Sequence, residues 1–161
     1  MKLARRFLGF TVCALGLIAA APALASDLPQ LQSLVQKWVA NLNTGDIKAF
    51  NAACEPRAAI IDGFPPYAWT SCADWMAAYD VNNRRIGAPR GVVSIGKPLY
   101  TEVTGTDAYL LYPATFIDVQ KGKTVIYKGT WTMTLRRAHG RWTFTGSSSN
   151  WGGNYTVRGG G

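Results

Sequence analysis

Residues 123–137 alternate. Val125, Tyr127, Gly129, Trp131, Met133 and Leu135 fall on one parity, and Thr124, Ile126, Lys128, Thr130, Thr132 and Thr134 on the other. A period of two gives a strand with one buried face, and apart from Ile126 the other face is polar. Trp131 is expected to point inward. A long half-buried strand needs antiparallel partners, and its neighbours supply them. Runs over 91–103, 107–119 and 141–151 are separated from it by Thr104-Gly105-Thr106, Gln120-Lys121-Gly122 and Ala138-His139-Gly140. These separators read as turns. The run from Ala108 to Phe116, which contains Tyr112, is apolar on both faces, so something covers its second face, a partner subunit being one candidate.

The period differs ahead of Pro89. Leu28, Leu31, Leu34, Val35, Trp38, Val39 and Leu42 recur at helical spacing, predicting a helix over 27–43. Gly45 suits its C-terminus and Asp46 caps a short helix over 47–53, which Pro56 prevents from extending. A short strand follows over 57–62, then an aromatic, proline-rich loop over 63–67. Ser71-Cys72-Ala73-Asp74 resembles a capping box and opens a third helix to about Arg84, carrying Trp75, Met76 and Tyr79. Helices first and an antiparallel meander second make an α+β domain, with three N-terminal helices packed in a curved sheet.

The first 25 residues read as a secretory leader outside that domain. Lys2, Arg5 and Arg6 precede an apolar stretch too short to span a bilayer, and Ala23 and Ala25 occupy the small-residue positions of a cleavage site. The expected organisation is leader 1–25, domain 26–152 and a mobile, glycine-rich tail 153–161, with a periplasmic or secreted location. Without Lys2, Arg5 and Arg6 the chain keeps 14 basic and 9 acidic side chains, a net +5. The basic residues are scattered, which argues against a nucleic-acid partner. Cys54 and Cys72 are the cysteines left after the leader, and an exported pair of this kind is expected to form a disulfide. Their spacing is not that of a redox motif, and with His139 alone they make no metal set. No cofactor is expected.

One residue resists the pattern. The apolar run Ala58-Ala59-Ile60-Ile61 ends on Asp62, and a carboxylate at the end of a buried strand has to be paired or used. It could accept loop N–H groups from Gly63 or Phe64, pair with Arg57 or Arg90, or act as a base. Trp38, Tyr79, Tyr112, Trp131 and Phe144 are the aromatic candidates for a ligand cavity beside it, and the same aromatics could equally form core.

Three segments carry a family resemblance: residues 38–46, with Trp38 at the start and Gly45-Asp46 at the end, Ala59-Ile60-Ile61-Asp62-Gly63, and the hairpin over 123–140 followed by Arg141-Trp142. Across about residues 28–151 the chain resembles the nuclear transport factor 2-like (NTF2-like) superfamily, which includes ketosteroid isomerase and the SnoaL-like polyketide cyclases. The resemblance implies a cone-shaped fold, and it implies that Asp62 stands where the isomerases carry a general base. Ketosteroid isomerase completes its site with a first-helix tyrosine and a protonated late-strand aspartate. Here Trp38 and Trp131 stand at or next to those positions, and an indole N–H donates but is no acid. Three readings follow: a domain binding a small apolar or aromatic ligand, an isomerase, cyclase or dehydratase using Asp62 on a carbonyl substrate, or a non-catalytic dimeric interaction module.

Overall fold

The computed structural model describes residues 23–88, 91–151 and 155–159. Most of the leader, Arg90 and the residues flanking the last strand lie outside them. Helix α1 spans Ala23–Thr44, α2 Ile47–Ala52 and α3 Cys72–Ile86. The strands are β1 Cys54–Ile61, β2 Ala68–Trp69, β3 Val92–Ile95, β4 Tyr100–Thr104, β5 Asp107–Gln120, β6 Lys123–Ala138, β7 Arg141–Asn150 and β8 Tyr155–Gly159. One sheet runs in the order β2-β1-β7-β6-β5-β3, with β4 also on β5 and β8 on β6. It is antiparallel except where β1 runs parallel to β7. Among the described residues no helix is long and apolar enough to cross a membrane.

Local chemistry sets the boundaries. Asp46 Oδ1 accepts from the Ala49 N–H at 3.0 Å and starts α2. Ser71 Oγ accepts from the Asp74 N–H at 3.0 Å and donates to Asp74 Oδ2 at 2.7 Å, which caps α3. Gly87 ends α3 in the left-handed region. Lys121-Gly122 and His139-Gly140 both hold positive φ at two consecutive residues, the geometry that closes a tight hairpin.

Three expectations change. The run over 91–103 is two strands, because the chain crosses Pro113 at Gly96: a Cβ there would sit 2.8 Å from the proline ring. Strand β1 begins at Cys54 rather than 57, its register shifting between Cys54 and Ala59 to accommodate Pro56. The glycine-rich tail carries β8, paired to β6 over Lys123–Tyr127. There β6 extends past its pairing with β7, which ends at Thr130↔Asn150. The sequence Tyr155-Thr156-Val157 is strand-forming despite its glycine flanks.

The core fills the closed end. The Trp38 ring stacks on Phe50 at 4.5 Å and on Phe144 at 4.3 Å. Asn43 pins the end of α1 to β3, with its Nδ2–H donating to Val93 O at 2.7 Å and its Oδ1 accepting from Val93 N–H at 2.8 Å. At the other end of α1, buried Asp27 accepts from Arg137 Nη1 at 2.7 Å, and the guanidinium lies 5.2 Å from the centre of the Trp142 ring. Cys54 and Cys72 form a disulfide that joins the start of β1 to the start of α3.

Replacing both cysteines by serine is expected to cost about 3 kcal/mol through the lost loop constraint. Denaturant unfolding of the two proteins measures it. The Tyr112 hydroxyl is buried without a hydrogen-bond partner, and burial raises its pKa above 10. A raised folded-state pKa means stability held below the ordinary tyrosine range and lost as pH rises through the folded value. Tyr112→Phe should remove that part of the alkaline loss, read by comparing unfolding free energies across the alkaline range.

Candidate functional site

Asp62 follows β1 directly, and its position is fixed by pairing. The parallel register Ile61↔Ser148 carries the next residue of each strand to the same level. There Ser149 Oγ donates a short hydrogen bond to Asp62 Oδ1. The Gly63 N–H donates to the same oxygen at 2.7 Å, and Trp151 Nε1–H reaches it at 3.3 Å. Trp75 Nε1–H, from the first turn of α3, donates to Oδ2 at 2.9 Å. The loop behind is closed by Asp62 N–H donating to Tyr67 O at 3.1 Å and Tyr67 N–H to Phe64 O at 2.8 Å. The carboxylate therefore meets four donors, all neutral, and among the described residues no arginine pairs with it.

Gly129 makes this arrangement possible. A Cβ there would lie 1.9 Å from Asn150 O and 3.2 Å from Trp151 Cα. The bare backbone lets the end of β7 cross β6 and deliver Trp151 to Asp62.

In front of the carboxylate opens a cavity of about 670 Å³. Its wall is largely aromatic, with Phe64, Trp75, Tyr79, Phe116, Tyr127, Trp131 and Trp151, and its polar part includes Asp62, Asn82, Asn83, Asp118 and Gln120. Volume and lining suit a small organic molecule. Of the aromatics expected to meet a ligand, Tyr79 and Trp131 line the cavity. Trp131 commits its indole N–H to Ser147 Oγ at 2.5 Å and presents ring rather than donor. Trp38, Tyr112 and Phe144 do not reach this wall. They are buried in the hydrophobic core.

Among the wall and anchor residues that were not site candidates from the sequence are Trp75, Asp118, Ser149 and Trp151. Asp118 left a readable sign. It shares the inward parity of Leu110, Tyr112, Ala114 and Phe116 on β5, and a charge on an inward parity asks for a role. It is 2% exposed. Its Oδ1 accepts from the Val119 N–H at 2.8 Å and its Oδ2 from Gln120 Nε2 at 3.1 Å, and the same amide nitrogen donates to the Tyr127 hydroxyl at 3.0 Å. Trp151 left none, because its reach to Asp62 depends on the crossing at Gly129.

Comparison with solved structures places this architecture. A hexachlorocyclohexane dehydrochlorinase (LinA), type 2, superposes with a TM-score of 0.69 at 10% identity, over 85% of this chain and 92% of that one. The chain has the NTF2-like fold. An NTF2-like protein of unknown function from Pseudomonas putida KT2440 superposes at 0.62 with 13% identity, covering 78% and 86% of the two chains. Another, from Shewanella oneidensis MR-1, gives 0.60 and 14%, covering 76% and 98%. No protein-family model matches the sequence, and no curated protein matches it. At these identities the likeness is one of fold.

Gly129→Ala is expected to displace Asn150 and Trp151 and to cost about 1–3 kcal/mol by overpacking. Loss of the Trp151 contact should appear as a red-shifted tryptophan emission together with lower unfolding stability.

Proposed function

We propose that this chain is an exported NTF2-like domain that binds a small, largely apolar, ring-bearing molecule in the cavity, with Asp62 orienting it. The observation that carries the reading is an aromatic wall around about 670 Å³ with a pre-organised carboxylate set into it. Oδ1 of Asp62 accepts three hydrogen bonds and Oδ2 accepts one. A carboxylate oxygen has room for about two acceptor contacts, so Oδ2 keeps a place for a ligand donor and Oδ1 does not. Export is supported by the leader-like start and by the disulfide. A homodimer is part of the proposal, because Val92, Leu99, Tyr100, Tyr109, Ile117 and Val119 leave the outer face of β3, β4 and β5 apolar and exposed.

The open site on Oδ2 also supports a second reading, Asp62 as general base on a carbonyl compound. One substitution separates the two. With a retained ligand in hand, Asp62→Asn should change affinity by less than about tenfold if the carboxylate orients. If it is the base, turnover should fall by about 10²–10⁴. Native mass spectrometry of the mature protein, purified without reductant, supplies the ligand. The expected spectrum is a dimer of chains beginning at Ser26, each with the mass deficit of one disulfide, carrying a small apolar molecule. An empty monomer would contradict both the cavity reading and the dimer.

A further inference from the structure

Two carboxylates in this protein are equally buried. Asp27 and Asp118 are each 2% exposed. Asp27 has a guanidinium partner, Arg137, at 2.7 Å. Asp118 has none among the described residues. It receives two neutral N–H groups and otherwise faces the cavity. A buried carboxylate without a cation is costly, and the same fold neutralises the other one. Among the described residues Asp118 has no counter-charge, and the cavity it lines is where a ligand can bring one.

The rest of the wall agrees. Asp62 adds a second carboxylate with an open acceptor site on Oδ2. The rings of Trp75, Tyr79, Phe116 and Tyr127 offer π faces that attract a cation enclosed between them. The one described cationic side chain on the wall is Arg85, which is exposed and bonds to Asn82 Oδ1 at 2.8 Å. Lys121 and Lys123 line a separate depression outside, together with Arg85 and Gln120. Among the described residues the cavity wall thus carries two acids and one base, in a chain with net positive charge.

Resting on the cavity reading above, we infer that the ligand is an organic cation: an amine carried on an aromatic or apolar body, its ammonium group bonded to Asp118 and its ring against the aromatic wall. Asp62 Oδ2 takes a second N–H or O–H donor from the same molecule. Ammonium binding supplies the counter-charge that no described residue gives Asp118, and the apolar body meets the aromatic wall.

The test uses three probes with one ring and three head groups: tryptamine, tryptophol and indole-3-acetate, titrated calorimetrically into the mature protein near neutral pH. Tryptamine is expected to bind about tenfold or more tighter than neutral tryptophol, a size set by one charge-assisted hydrogen bond, with indole-3-acetate weakest. Asp118→Asn should bring tryptamine to within about threefold of tryptophol. If tryptophol matches tryptamine, the cation is wrong and the apolar cavity stands. If indole-3-acetate is tightest, the cavity takes anions and the inference is overturned. If none of the three binds, the cavity reading fails with it. Should the Asn variant not fold, amide shifts in the unaltered protein decide: tryptamine must move the Val119 and Gln120 N–H signals more than tryptophol does, and equal shifts remove Asp118 from the site.

Discussion

The carboxylate of Asp62 gathers four separate parts of the chain at this end of the cone. It receives the loop after β1 through Gly63, α3 through Trp75, β7 through Ser149 and the segment beyond β7 through Trp151. Each donor comes from a different element, so the cavity wall is assembled around one pair of oxygens. The disulfide acts on the same elements from the other side. Cys72 opens α3 only one turn before Trp75, and Cys54 opens the strand that ends at Asp62. Covalent bond and carboxylate therefore bracket β1 and α3 at both ends of their contact. The distance between the strand end and the helix is set twice, and that rigidity is what a pre-organised site requires.

Packing divides the cone into two regions with different chemistry. At the closed end the stacked rings of Trp38, Phe50 and Phe144 exclude water. Trp38 Nε1, Trp142 Nε1 and the Tyr112 hydroxyl are buried there without partners, a cost accepted for the apolar area these large rings bury. Around the cavity the indole N–H groups of Trp75 and Trp151 find Asp62, and that of Trp131 finds Ser147. Polar satisfaction follows the cavity rather than the core. This division separates aromatics that hold the fold from aromatics that can meet a ligand.

The sequence made the architecture legible because its signals are periodic and local. The Leu31, Val35, Trp38 and Leu42 face, the Ser71 to Asp74 capping box, the Gly45-Asp46 break and the two tight hairpins all appear where the pattern put them. The disulfide followed from the export reading. The site was legible only at Asp62, Tyr79 and Trp131. Inward parity tells which face a side chain takes but not whether a cavity or packed side chains meet it there, so Tyr112 could not be told from Trp131, its partner in the register. The split at Gly96 and the crossing at Gly129 depend on a neighbouring strand approaching within van der Waals distance, and no single segment announces its neighbour. Strand β8 was obscured by glycine content that outweighed three strand-forming residues.

Asp62 binds Trp75 and Trp151 and so builds the cavity wall. The direct measurement is an ¹⁵N-resolved NMR spectrum of the six indole N–H groups, recorded for the unaltered protein and for Asp62→Asn. The Trp75 and Trp151 signals should move, because each loses a charged acceptor, while those of Trp38 and Trp142 stay in place. Indole signals for Trp75 and Trp151 that do not respond to the substitution would contradict that role for Asp62.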